Sequence, residues 1–393
     1  MELVLLIYFG VAVLYIFIFS IAGIFSHTPD QKREDKKRKF AVLIPGYKED
    51  VVILEVAKKA LEQTYSKDLF EVVVIADSFK RETLKELGKL PIILVKVSFE
   101  KSTKSKALNK AMLRMGDNYD VALILDADNH MEADFIEKIN NAFNNGYTVV
   151  QGHRIAKNTN TSFAILDAIS EEVNNHIFRK GHRVLGLSSA LIGSGMAFDY
   201  RFFKETMVNV NAVGGFDKEL ELKLLKNNVK IEYLHNALVL DEKVQKAAVF
   251  ANQRKRWLSA QFIYFRRYFL DGVKELVTKG NIDFFDKVYQ MISPPRILLI
   301  GIVFIITMLY FLSFMFFNDT QLLLVSPIVW YVMLFLVFLA FLFAIPKKFY
   351  NKATVKAVFS LPKAFALMFL SLFKLKGANK KFIHTQHGTI NGQ

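Results

Sequence analysis

Three long apolar runs decide most of what this chain can become. Leu3 to Phe25, Ile297 to Phe317 and Leu322 to Ile345 are almost free of charge, and each reaches the roughly 20 residues an α-helix needs to cross a bilayer core. The 52% hydrophobic content and mean hydropathy of +0.24 are thus concentrated rather than spread. Between the first and second runs lies a mixed, charged stretch large enough for one α/β domain with its own core. No basic stretch precedes the first run and no small-residue cleavage site follows it, so it reads as a retained anchor.

Charge orients the runs. His27 to Lys39 carries six Lys/Arg against three acids, and Pro346-Lys347-Lys348, Lys352 and Lys356 follow the third run. Under the positive-inside rule both segments are cytoplasmic, the N-terminus is outside and Asn318-Asp319-Thr320 is an external turn. The organisation expected is therefore an integral membrane protein of the inner or plasma-membrane type: a transmembrane helix in 1–27, a basic linker in 28–39, a cytosolic globular domain in 40–270, an interfacial segment in 271–295 and two further spans in 296–345. The basic tail, 346–393, would carry an interfacial helix over 354–375, because Lys356, Pro362 and Lys363 interrupt its apolar pattern. The net charge of +15 hugs these membrane boundaries, which favours anionic lipid and phosphorylated substrates over nucleic acid as the partner. The chain has no cysteine, in keeping with a reducing cytoplasm.

Inside the polar stretch, strand-like runs alternate with helical ones: Phe40–Ile44, Glu71–Ile75, Ile92–Val97 and Val121–Leu125, separated by helices over about 51–63, 82–88 and 104–114. That alternation predicts an α/β fold, a parallel sheet with helices on both faces. Further strands are expected at 148–151 and 231–234, with long helices at 162–178 and 249–269. Three strands end in acids: Glu49, Asp77, and the pair Asp126 and Asp128. In a parallel sheet such ends face the ligand crevice. Two hard carboxylates flanking one small residue suit Mg²⁺ or Mn²⁺, which would hold a diphosphate; the plainer alternative is a cap on the next helix. His153, His176, His182 and His235 show no metal-ligand spacing and read as structural or acceptor-side groups.

Over about Phe40 to Trp257 the chain resembles the membrane-integrated, processive-type family 2 glycosyltransferases, the group of cellulose, chitin and hyaluronan synthases. The resemblance implies a GT-A, Rossmann-like domain with flanking transmembrane helices, a UDP-sugar donor and a glycan acceptor. Pro45-Gly46-Tyr47-Lys48-Glu49 resembles the first nucleotide-contacting loop, with Pro45, Tyr47 and Glu49 on the nucleoside, and Asp77 matches the acid that reads the base. Lys104-Ser-Lys-Ala-Leu-Asn109 is similar to the K-x-x-A-L-N segment, whose lysine approaches the diphosphate. Asp126 and Asp128 match D-x-D, with Asp128 the direct metal ligand. Gly193-Ser194-Gly195 resembles the loop that shapes the acceptor site. Gln253-Arg254-Lys255-Arg256-Trp257 matches Q-x-x-R-W, implying Trp257 and Gln253 toward the acceptor and Arg256 toward the diphosphate. An indole suits the apolar face of a sugar, and a guanidinium suits phosphate.

One segment departs from the pattern. The family's acidic triplet, whose Asp is the catalytic base, is here Phe216-Asp217-Lys218-Glu219-Leu220-Glu221-Leu222. Aligning the L-E-L that follows puts Glu219 at the base position and Lys218 where an acid is expected; Asp217 is the second choice. Three products or roles remain open: a β-linked polysaccharide or oligosaccharide, a single sugar on a membrane lipid such as polyprenyl phosphate or diacylglycerol, or a non-catalytic glycan-binding scaffold. With only three spans, polysaccharide export would call for a partner or a homo-oligomer.

Overall fold

The computed structural model of the chain describes residues 2–27, 35–210, 212, 215–317 and 325–375. The 318–320 turn, residues 28–34 of the linker, Val213-Gly214 and the tail from 376 lie outside them. The strands are β1 (Phe40–Tyr47), β2 (Phe70–Asp77), β3 (Ile93–Val97), β4 (Val121–Ile124), β5 (His130–Met131), β6 (Val149–Ala156), β7 (Met196–Asp199) and β8 (Glu232–Asp241). The helices of the N-terminal half are α1 (Glu2–Ala22), α2 (Ile53–Ala60), α3 (Arg81–Leu87), α4 (Lys104–Met115), α5 (Phe135–Asn144) and α6 (Ser162–Asn174). After them come α7 (His182–Val184), α8 (Tyr200–Val208), α9 (Phe216–Lys226), α10 (Ala247–Lys279), α11 (Ile282–Ile292), α12 (Arg296–Phe317), α13 (Pro327–Ala344), α14 (Lys352–Val358) and α15 (Leu361–Leu372).

The sheet runs β3-β2-β1-β4-β7-β6-β8-β5. Its first four strands are parallel, as the alternation predicts. β7 then pairs antiparallel with both β4 and β6, so the second half is mixed rather than parallel. β1 alternates its side chains between two cores: Ala41 and Leu43 join one with α4 and α9, while Phe40, Val42 and Ile44 join the other with α2 and α5. All five are fully buried, each such aliphatic or aromatic chain contributing about 1.5–3 kcal/mol, so Leu43→Ala would cost several kcal/mol of stability. α4 forms because Thr103 caps it through the amide of Lys106 and Gly116, at φ +75°, ends it; its Ala107, Leu108, Ala111 and Met112 fill the core between.

The long helix expected over 162–178 breaks at Asn175, continuing as a π-helical stretch, Asn175–Gly181. The reason lies across from it: a side chain at Gly181 would come within 2.2 Å of the Phe19 carbonyl of α1, so the turn is shaped to let α1 approach. The helix expected over 249–269 runs ten residues further, to Lys279, and stops at Gly280 in the left-handed conformation. It folds back on α11, with Gly272 seated against Val288; α11 is thus packed onto the domain through the buried Phe284, Val288 and Met291.

α1, α12 and α13 are each long and apolar enough to cross a membrane. They pack on one another through Phe9, Val13, Ile16, Val303, Trp330 and Val337. Where one interfacial helix was expected, α14 and α15 meet at a 42° bend, and a fourth span arises only if that pair is taken as one. α15 lies against α10 and α12 through Phe365 and Met368.

Candidate functional site

The carboxyl ends of β2, β1 and β4 are neighbours, and the strand order reverses between β1 and β4, which is where a doubly wound sheet opens its crevice. Tyr47 ends β1 directly beside Asp77 at the end of β2. Lys48 and Ser78, the residues that follow them, both adopt positive φ (56° and 61°). That turn lets the Lys48 amide bond the Asp77 carbonyl, while the Ser78 hydroxyl donates to the Asp77 carboxylate at 2.9 Å. Asp77 and Glu49 are both buried; Glu49 sits at the mouth of α2, its backbone carbonyl accepting from the amides of Val52 and Ile53. Pro45 and Gly46 lie one pleat back, with Gly46 pressed onto the ring of Phe79.

Asp126 and Asp128 leave β4 on the same edge, and they have a third partner. One carboxylate oxygen from each of Asp126, Asp128 and Asp241 lies within 4.8 Å of the others. Asp241 ends β8, and its role was hidden because that strand reads in sequence as ending at Leu234; the signal is Leu240-Asp241, an apolar run stopping at an acid as Leu125-Asp126 does. Three hard oxygen donors, two of them buried, fit Mg²⁺ or Mn²⁺. Asn129 braces the group, donating to Asp128 at 3.3 Å and to Asp241 at 3.0 Å, and its own oxygen accepts from the Ser194 hydroxyl. Ser194 in turn accepts from the Asp126 amide at 2.9 Å, so the Gly193-Ser194-Gly195 loop supports the acids rather than standing apart from them. Gly193 and Gly195 carry it at φ +82° and +61°.

Behind Asp241 the positive charge is ordered. Lys243 donates to it at 2.7 Å and Arg154 stands 3.5 Å away. Burial alone would raise the Asp241 pKa; Arg154 and Lys243 hold it below the ordinary carboxylate range. Arg154 also pairs with Glu171 at 2.9 Å, and Glu171 reaches Arg179 at 3.3 Å. Against the burial of that carboxyl, these cations hold Glu171 well below its usual value as well. Such outer partners fix the orientation of the inner ligands. Lys104 completes the ring: its ammonium bonds the Asp126 carboxylate and the Gly193 carbonyl, over the face of Phe216 at 5.5 Å.

The two candidate bases separate on opposite sides of α9. Glu219, the choice from the alignment, is buried with its carboxylate turned to α10, where Arg267 donates at 2.8 Å and Tyr268 at 3.5 Å, with Lys223 at 3.4 Å. The cause is helical geometry: two positions along a helix turn a side chain by about 200°. Asp217 instead lies against Gly215 and Gly193, the glycine whose carbonyl holds Lys104. Lys218 points inward near Lys287, Glu221 and Arg179, and burial, then Lys287, lower its pKa. Glu221 pairs with Lys287 at 2.5 Å through one carboxylate oxygen, while the other is buried without a hydrogen-bond partner among the described residues.

Gln253, Arg256 and Trp257 occupy the first three turns of α10, which begins shortly after Asp241. The arginine on the indole is Arg254, whose guanidinium stands 4.4 Å from the ring centroid and pairs with Asp167 of α6. Arg256 is partly buried, which lowers its pKa. The side-chain oxygen of Gln253 is buried without a partner, and neither Gln253 nor Trp257 bonds the aspartate group among the described residues. Of the histidines, His153 pairs with Glu172 at 2.9 Å and His182 sits among Tyr15, Asp286 and Gln290, in structural networks.

The family description "Glycosyltransferase like family 2" matches residues 37–260, more than half of the chain. A solved structure similar in fold is the mannosyltransferase PcManGT from Pyrobaculum calidifontis, in complex with GDP-Man and Mn²⁺: TM-score 0.53 and 16% identity, over 94% of this chain and 96% of that one. No curated protein sequence is matched. A Rossmann-like sheet, acids gathered at its carboxyl edge and the family match agree, and the chain belongs to the glycosyltransferase family 2-like proteins, as a glycosyltransferase.

Proposed function

We propose that the chain is a membrane-embedded, divalent-cation-dependent, inverting glycosyltransferase that takes a sugar from a nucleoside diphosphate donor held over the β1–β2–β4 edge. The observation that carries this reading is the convergence of Asp126, Asp128 and Asp241 within 4.8 Å. A bound Mg²⁺ or Mn²⁺ would neutralise charge on the departing diphosphate. Lys104, already at Asp126, and Arg256 would approach the same phosphates. Asp217 would take the proton of the acceptor hydroxyl as that oxygen attacks the anomeric carbon from the face opposite the leaving group. Its position against Gly193 supports this role, whereas Glu219 is engaged with Arg267. An α-linked donor then yields a β-linked product.

Tyr47, Asp77 and the motif resemblance favour a UDP-sugar; the GDP-Man in the similar fold makes GDP-mannose the second donor to test. For the acceptor, the spans themselves give an argument. α1, α12 and α13 meet through an apolar cluster; among the described residues its Ser20 and Thr307 hydroxyls bond backbone carbonyls and its Tyr310 meets Glu2 near the start of α1, so the interior between the helices is mainly apolar. This favours one sugar placed on a membrane lipid over an exported glycan, which would need an export partner or a homo-oligomer. Release of nucleoside diphosphate from a panel of UDP-sugars and GDP-mannose, with Mg²⁺ or Mn²⁺, tests donor and metal together. Radiolabelled donor with membranes tests product: one lipid-linked spot supports the reading, and a polymer ladder overturns its acceptor half.

A further inference from the structure

A second polar cleft lies away from the aspartates, at the opposite end of β8. Its volume is about 340 Å³, and its lining includes Lys138, Asn141, Asn145, Lys180, Arg183 and His235. From Tyr233 to Asp241 the strand covers on the order of 20 Å at the usual rise, which separates this cleft from the metal-type site. A smaller cleft of about 210 Å³ adjoins it, sharing Lys180 and His235 and walled by Asn175, His176, Phe343, Ala344, Pro346 and Glu172, whose carboxylate is engaged by His153 and Lys348. Phe343 and Ala344 end α13 and Pro346 follows it; the others are polar groups of the domain. The pair therefore opens where membrane-type helices meet the folded domain, with His27, just past α1, on the far wall.

Two irregularities of the backbone build it. Gly152 pairs with Leu234 but His153 pairs with Leu238, so His235, Asn236 and Ala237 bulge out of the pairing, His235 and Asn236 lining the cleft while Ala237 stays in the core. Bulges re-aim side chains in this way. The π-helical turn places His176 and Lys180 on the facing wall. Electrostatics leave one charge over: Lys138 is met by Asp134 at 2.8 Å and Glu132 at 3.4 Å, and Arg183 by Glu232 at 2.9 Å. Lys180 has no hydrogen-bond or ion-pair partner among the described residues, and burial pushes its pKa down, the response of a cation short of counter-charge.

We infer that this double cleft binds the headgroup of an anionic phospholipid, its phosphate at Lys180 and its acyl chains leaving past Phe343. The inference rests on the membrane-embedded reading but not on the reaction. Basic pockets between spans at the charged face of a membrane suit such headgroups, and Asn141, Asn145 and Asn236 supply neutral donors around the phosphate oxygens.

The test uses the full chain in nanodiscs of equal phosphatidylglycerol and phosphatidylcholine, read by native mass spectrometry of retained lipid. The native chain should keep phosphatidylglycerol selectively, and Lys180→Glu should weaken that retention by about tenfold or more. Lys180→Arg should restore it, and Lys352→Glu, an equal charge change on an exposed residue elsewhere, should leave it intact. Equal retention by Lys180→Glu, or equal loss in Lys352→Glu, overturns the site. Thermal stabilisation by inorganic phosphate or glycerol phosphate as large as that by the lipid overturns the lipid assignment. Resistance of every variant to carbonate extraction from membranes checks the membrane reading separately, and nucleoside diphosphate release checks the enzymatic one.

Discussion

The donor edge and the helical half of the site are built on different terms. On the donor edge, Tyr47, Asp77 and Asp241 end strands and Asp126 follows β4 by two residues, so the hydrogen-bond register leaves their positions little choice. On α9 and α10 the functional side chains sit on helix faces, where a shift of two residues changes which neighbours they meet. Glu219 has thus gone to Arg267 and Tyr268 while Asp217 faces the glycine loop. Trp257 has taken Arg254 onto its ring. A strand end holds a ligand by topology; a helix face holds one only if nothing nearer competes.

The sharpest way to break this contrast is at the donor edge. Asp128→Ala should lower metal-dependent nucleoside diphosphate release by about 10³-fold or more, because it removes a cation ligand and leaves Asn129 half-partnered. On the helical side, Asp217→Asn should lower kcat by about 10²–10⁴ with donor affinity little changed. Glu219→Gln should act mainly on stability, by loosening the contact with Arg267. If the two variants exchange these behaviours, α9 turns over in the working enzyme and the Glu219 alignment is restored. Arg154→Ala should weaken Mn²⁺ binding by about 10–100-fold through Asp241, read by calorimetry in the absence of donor.

The smallest effect is a pH effect. Glu172 is buried, yet His153 and Lys348 hold its pKa at about 2, below the unfolded value. A depressed carboxylate contributes stability above its unfolded pKa and loses it as pH falls through the folded one. Thermal unfolding should therefore drop between about pH 4.5 and pH 2 in the native chain, and drop less in Glu172→Gln.

The parallel half of the sheet was legible because apolar runs, turns and terminal acids all carry one message in sequence. Asp241 was not, because the bulge at His235–Ala237 interrupts β8 and makes its second half read as a separate stretch. The break after Asn174 was equally hidden: it answers to Phe19, more than 150 residues earlier, through a contact that local periodicity does not encode. Arg254 outranked its neighbours in Q-x-x-R-W for a similar reason, since its partner Asp167 lies on another helix.

The buried cluster around His182 ties the first helix to the domain. Tyr15 of α1 donates to Asp286 at 2.7 Å and meets His182 at 2.8 Å, Gln290 closes the group, and Phe19 stacks on the imidazole at 3.8 Å. A soluble fragment trimmed to begin at the first strand would lose both aromatic residues at once, stranding an acid and an imidazole on a newly bared apolar floor. Expression strategies that discard the first helix to ease handling would thereby injure the body they aim to keep; preparations of the whole chain are the sound route to its enzymology.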